Sequence, residues 1–460
     1  MRVTSFTAAL ALTAVLAGCG SGGDGFNSVT PGTGSFPTHE PAQASAELGC
    51  SWALVSDPDL GNIAFPDENA TYWVAVLPAL PNTRLRVEGR FPQARYFSFN
   101  VYDPLLRPVD AVTDYELLPR QPGTNPYRTA GTVPGANYIA YLRPAPRPEM
   151  PEANTLYSGS IALPGGQSLP FNPTITLIYR IYLPELDGSG GVPLPTLTLE
   201  TADGSQVPVR FHMSPCQPLP PDGAPGILNQ AIRESSLPSQ AGFLPFPLAA
   251  AEPRAVRFYG LPQTARVLLS NALGQEVPPN PLTAGDGGGF LSNVDNAYVT
   301  FMASRDKGSL YVVRAKAPSY ARVPTDAPNG PAQLRYWSLC TNEFVTQRFA
   351  ACTHDAQVPV DAQGYFTLVV SDPEQMPVNA LPDNGVLWLP WGAAYYDSVF
   401  IYRHMLPSPH FAEAVQNIPY GTPPEVVMGE YYPRAAYCDR ATIEAAGSNP
   451  AAIFTVCRGQ

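Results

Sequence analysis

Ala94-Arg95-Tyr96-Phe97-Ser98-Phe99 returns, 240 residues later, as Leu334-Arg335-Tyr336-Trp337-Ser338-Leu339. The first block decides the local structure. Tyr96, Ser98, Asn100 and Tyr102 alternate with Phe97, Phe99 and Val101, a period of two that fits a strand with two buried but different faces. The echo decides the organisation. Asn69-Ala70-Thr71-Tyr72-Trp73-Val74 is repeated by Asn296-Ala297-Tyr298-Val299, and the run Leu85 to Pro92 by Leu310 to Pro318. Leu177-Ile178-Tyr179-Arg180-Ile181-Tyr182-Leu183-Pro184 is repeated by Phe400-Ile401-Tyr402-Arg403-His404-Met405-Leu406-Pro407. Tyr72 and Pro92 recur at a spacing of 226, and Tyr179 at 223, so length changes fall between blocks, where loops absorb them. Four blocks in one order predict an internal duplication.

The rest of the chain agrees with a β protein. Thr176 to Leu183 and Tyr365 to Val370 are further β-branched and aromatic runs, and Asp187-Gly188, Asp203-Gly204 and Asn384-Gly385 are turn signals. With 54 prolines in 460 residues, long helices are excluded, since each interior proline costs a helix about 3 kcal/mol. Two short helices are expected, one near Ile227 to Ile232 and one on Phe411, Ala414, Val415 and Ile418. The predicted fold is mainly β: two tandem, internally duplicated β-sandwich or jelly-roll-like domains with few short helices. The expected division is 1–18 signal peptide, 19–45 tether, 46–217 first domain, 218–244 linker with a short helix, 245–420 second domain and 421–460 tail.

Charge removes one class of partner. Lys and Arg number 27, with only Lys307 and Lys316 as lysines, against 38 Asp and Glu; the net charge is −11. No basic run exists to neutralise phosphates, so nucleic acid is excluded.

The first 18 residues have the form of an export signal: Arg2, then an apolar stretch from Phe6 to Ala17 too short to span a bilayer. It ends in Leu16-Ala17-Gly18-Cys19, which resembles the lipobox of bacterial lipoproteins. The resemblance implies cleavage before Cys19 and lipidation of that cysteine. Gly20 rather than aspartate follows, which by the same resemblance implies the outer membrane. The Gly- and Pro-rich run to Ser45 is a flexible tether. Six other cysteines, Cys50, Cys216, Cys340, Cys352, Cys438 and Cys457, form an even set, as expected of disulfides in an exported chain. Fifteen pairings are open. The local scheme joins Cys340 to Cys352, Cys438 to Cys457 and Cys50 to Cys216. Asn100 stands where Cys340 would be in the first copy, so that staple is expected to belong to the second copy alone.

Arg335-Tyr336-Trp337-Ser338-Leu339 and Trp388-Leu389-Pro390 are similar to motifs of paired β domains of unknown function in bacterial envelope proteins. That resemblance implies a fold and no mechanism. The chain has no GxSxG elbow, HExxH helix or P-loop. No cofactor is expected, and the cysteine spacing suits no metal. Of the five histidines, His354, beside Asp355, and His404, beside Arg403, could converge with Arg335 and Tyr336 on a ligand. Against this, arginines repeated as Arg95/Arg335 and Arg180/Arg403 fit a shared structural need, paired to a carboxylate such as Asp103 or Glu343. Trp388 and Trp391 fall on opposite faces of a strand, and Asp187-Gly188-Ser189-Gly190-Gly191 is a plain turn in preference to a calcium loop. These features favour a non-catalytic, lipid-anchored envelope module that binds a glycan or an envelope protein, or builds structure. The alternatives are a secreted hydrolase acting on polysaccharide or ester at a cleft of the second domain, and a subunit of a surface assembly.

Overall fold

The aromatic runs become strands whose two faces bury different things. The computed structural model describes residues 50–56, 64–132, 135–162, 167–169, 172–211, 251–260, 289, 291–326, 331–343, 347–392 and 397–459. The signal, the tether, Cys19, Cys216 and the helix expected at 227–232 lie outside the described residues.

The first copy contains β1 (Leu54–Ser56), β2 (Ala70–Pro78), β3 (Thr83–Arg90), β4 (Ala94–Tyr102), β5 (Pro108–Thr113) and β6 (Asn137–Arg143). It continues with β7 (Thr155–Tyr157), β8 (Ile161–Ala162), β9 (Ser168–Leu169), β10 (Thr174–Pro184), β11 (Thr196–Thr201) and β12 (Gln206–Pro208). The second copy contains β13 (Val256–Phe258), β14 (Asn296–Ser304), β15 (Leu310–Lys316), β16 (Leu334–Glu343) and β17 (Phe349–His354). After these come β18 (Tyr365–Ser371), β19 (Leu387–Pro390), β20 (Asp397–Pro407) and β21 (Arg434–Cys438).

Each copy is a sandwich, and the two have the same topology. The sheet β1-β2-β10-β4-β5 is matched by β13-β14-β20-β16-β17, and β11-β3-β6-β7 by β21-β15-β18-β19. Both copies even share one parallel pair, β6 with β7 and β18 with β19, in sheets that are otherwise antiparallel. The registers agree residue by residue. Arg180 lies opposite Tyr72 and Ser98, as Arg403 lies opposite Tyr298 and Ser338. The duplication read from four blocks therefore extends through eight strand positions and more. The segment 421–460, set apart by sequence as a tail, carries β21, the counterpart of β11.

Phe97, Phe99, Tyr138 and Tyr179 fill the first core, and Phe301, Trp337, Phe366, Phe400 and Tyr402 the second. Burial of each such ring contributes about 1.5–3 kcal/mol. The outer face of the second sheet separates the copies. In β3 it carries Arg84, Arg86 and Glu88, ion-paired among themselves and with Glu200. In β15 it carries Leu310 and Val312, which must be covered. Helices α2 (Arg440–Ala445) and α3 (Pro450–Arg458), which follow α1 (Pro424–Met428), cover them with Ile443, Ile453 and Phe454. Cys438 and Cys457 tie this cover to β21 at an S–S distance of 2.04 Å. Among the described residues no helix is long and apolar enough to cross a membrane.

One element differs from expectation. Phe411, Ala414, Val415 and Ile418 are buried, but only a single 3-10 turn forms, over Val415–Asn417. The amide of Val415 donates to His404 Nδ1 (3.3 Å), and the Asn417 side chain takes the carbonyls of Phe411 and Ala412. The groups that would close an α-helical ladder are thereby engaged elsewhere. Pro419 then stops the turn.

Candidate functional site

Arg335, Tyr336, His354, Asp355 and Arg403 do gather, but they do so where the two copies meet. The meeting surface is the outer face of β4 and β10 against that of β16 and β20. This is why all ten residues of β16 are buried. Contacts across it are reciprocal. Arg95 Nη1 of the first copy reaches Asp355 of the second at 3.3 Å and the carbonyl of Arg335 at 3.4 Å. Arg335 Nη2 reaches Asp114 of the first copy at 3.4 Å, and its Nη1 reaches the carbonyl of Arg95 at 3.0 Å. The two aspartates also play one local role: Asp114 accepts from Phe97 N and Asp355 from Trp337 N. A pseudo-twofold axis therefore passes between the two arginines.

The exchange continues outward from that axis. Tyr336 and Ser338 donate to Asp67 of the first copy at 3.0 and 2.6 Å. Tyr96 donates to Asp295 of the second at 2.6 Å. Arg403 caps the carbonyls of Phe65 and Pro66, while Arg180 caps that of Leu291 and donates to Tyr102 at 2.5 Å. Phe65 and Leu291 occupy equivalent positions and both adopt φ of 55°, a left-handed conformation that these side chains resist. An arginine from the opposite copy holds each one in place.

Arg95 and Arg335 pair with carboxylates, though with Asp355 and Asp114, while Arg180 and Arg403 cap carbonyls. Asp103 is taken by Arg107 at 2.6 Å, and Glu343 lies at the far end of β16 from Arg335. His404 does not join the group. It points into the second core, with its ring edge-on to Tyr402 at 4.6 Å. Burial pushes its pKa down to about 3, so it is neutral. His354 lies 3.5 Å from Asp355 but also accepts from Ala356 N. Asp355, Arg95 and Trp337 N already satisfy one another. Trp391 is in the core, whereas Trp388 packs on the helical cover, so they share no platform. Asp187 Oδ1 accepts from Ser189 and Gly191, with Gly190 and Gly191 at φ of 70° and 72°, as in a plain turn.

Asp67, Asp114 and Asp295 were not legible as members of this cluster. A signal for Asp114 existed. It follows Arg95 by 19 residues, and Asp355 follows Arg335 by 20. Burial pushes the carboxyl of Asp114 up to about 6 even beside Arg335. Asp295 goes up to about 7: burial dominates, the Tyr96 hydrogen bond opposes it, and the charges of Glu116 and Asp114 add to it. Asp295 borders a cleft of about 570 Å3 between β5 and the segment 292–298 that enters β14, whose walls also carry Asp110, Glu116, Arg147, Arg257 and Tyr259. On the other side of the pseudo-axis, Glu68 accepts from Cys352 N at 2.7 Å. Val294 stands in the place of Glu68 and cannot do so.

Cys340 and Cys352 are joined, directly opposite each other on β16 and β17. Cys50 is also disulfide-bonded. The staple has no counterpart in the first copy, where Asn100 faces Ala111, but Glu68 N of the first copy lies 3.4 Å from Cys352 Sγ, and Arg403 of the second copy donates to Cys340 Sγ at 2.8 Å.

No protein family matches the chain, and no curated protein does. Among solved structures, an uncharacterised protein from Burkholderia cenocepacia is similar over 86% of this chain and 84% of that one, at 14% identity and a TM-score of 0.42. A protein from Vibrio parahaemolyticus is similar over 82% of this chain and 90% of that one, at 14% identity and a TM-score of 0.37.

Proposed function

We propose that this chain is a lipid-anchored module of a bacterial cell envelope that binds or builds rather than catalyses. The observation that carries the reading is Leu16-Ala17-Gly18-Cys19, placed between an export-type stretch and a Gly-rich tether. Cys19 would bear the lipid, and Gly20 favours the outer membrane. The non-catalytic half of the reading is supported by the repeated motif itself. Most of its arginines, tyrosines and aspartates are buried, and they are engaged with one another across the two copies in place of a solvent-borne ligand. A glycan or an envelope protein is the partner class this reading favours.

The anchor is tested by expressing the full chain in a Gram-negative host with radiolabelled palmitate. The wild type is expected to take up label and fractionate with outer membranes, and Cys19→Ala to lose both. Unlabelled wild-type protein, or label that survives the substitution, refutes the anchor.

A further inference from the structure

The duplicated fold fills one strand position in the first copy that no described strand fills in the second. In the first copy β12 lies along β11, with Leu199 opposite Val207. Leu197 turns its outer N–H to Ser51 Oγ (3.1 Å) and its outer carbonyl to Val209 N (2.9 Å). The chain then reaches Phe211, whose amide donates to the Cys50 carbonyl at 2.7 Å. So β12 and its continuation fill the slot between β11 and the segment leading into β1.

By register, Ala435 and Tyr437 stand on β15 where Leu197 and Leu199 stand on β3. Their outer backbone groups therefore face away from β15. Beyond them, after β21, the chain turns at once into α2, with Asp439 as its cap, and among the described residues no strand pairs with the outer edge of β21. What lies there is a groove of about 520 Å3 between β21 and residues 251–254, the counterpart of the segment before β1. Its walls carry two arginines, Arg434 and Arg458, that have no carboxylate partner among the described residues. Arg254 and Lys307 are ion-paired to Glu252 and Asp306.

We infer that this groove is a strand-accepting site. It takes an extended peptide segment of a partner protein, paired to the outer edge of β21, with acidic side chains that meet Arg434 and Arg458. Backbone pairing supplies the affinity in this mode, and charge the preference. An open edge of this kind templates strand addition unless something blocks it. The inference rests on the reading of the chain as a binding module, but not on the lipid anchor, so the labelling test above can fail without touching it.

The test uses the full chain purified in detergent and two synthetic seven-residue peptides. One alternates valine with glutamate, and the other replaces glutamate by lysine. Fluorescence anisotropy is expected to show the acidic peptide binding at least about tenfold more tightly than the basic one. Arg434→Glu with Arg458→Glu is expected to reverse that order. Both arginines are surface groups, so unchanged thermal unfolding of this variant is the check on its fold. Hydrogen exchange at the amides of Ala435 and Tyr437 is expected to slow on addition of the acidic peptide. Equal binding of both peptides, no slowing at these amides, or an unchanged preference in the folded variant overturns the inference. So does protection of the two amides that rises with protein concentration alone, which would make a second copy the occupant.

Discussion

Asp295 keeps its proton at a pH where an ordinary aspartate has lost it. Its carboxyl is raised to about 7 because burial beside Glu116 and Asp114 outweighs the Tyr96 hydrogen bond. The native state therefore holds a proton between roughly pH 4 and 7 that the unfolded chain has released. Stability falls as pH rises through that window, and Asp114, raised to about 6, adds in the same direction. Neutral His404 acts oppositely, since its pKa falls to about 3 and its contribution is lost as pH falls below about 6.5. The difference between wild type and variant isolates the one group. Asp295→Asn is expected to flatten the fall in the urea midpoint between pH 5 and 8, with the gain over wild type largest at pH 8. Parallel profiles would show that the buried carboxyl is not protonated. At this scale the sequence revealed which arginines recur, but not whom they meet. Each partner lies in the other copy, and only the pseudo-axis, a tertiary fact, brings Arg335 to Asp114.

Among the elements, strands were legible wherever aromatics alternated. β4 and β16 needed nothing but a period of two. The turn at Val415–Asn417 was misjudged because helical spacing reports which residues are buried, not where their backbone groups are spent. β21 was missed for a related reason: five residues in a helical tail carry too little pattern, and only the position of β11 explains it. The Cys340–Cys352 staple is the element best suited to measurement. It closes a loop of 12 residues, which the chain-entropy model values at about 3 kcal/mol. Because its sulfurs touch Arg403 and the Glu68 amide, its loss should also loosen the contact between copies. Cys340→Ser with Cys352→Ser is expected to lower the melting temperature of the whole described body and to speed hydrogen exchange at Tyr336 and Tyr96 alike. Faster exchange confined to β16 and β17 would instead make the staple local.

The two sandwiches form one compact body. Contacts between domains of one chain are usually polar, modest and free to move. Here the contact engages four arginines, several tyrosines and four carboxylates, and separation would strand the buried ion pairs. Breaking a buried pair typically costs about 3–5 kcal/mol. One calorimetric transition is therefore expected for both sandwiches, with equal van't Hoff and calorimetric enthalpies. Two resolved transitions would show that the copies unfold independently.

The reciprocity of Arg95 and Arg335 also says something about descent. A surface that makes the same contact in both directions is the mark of a subunit meeting its own twin. The plainest ancestor is a one-sandwich homodimer whose gene was doubled and fused. Fusion places the halves at an effective concentration on the order of millimolar. Selection on the joint then relaxes, and each half can drift alone. One half kept a polar sheet face and its own covering strand. The other carries a stapled pair of helices over that face, with no covering strand among the described residues.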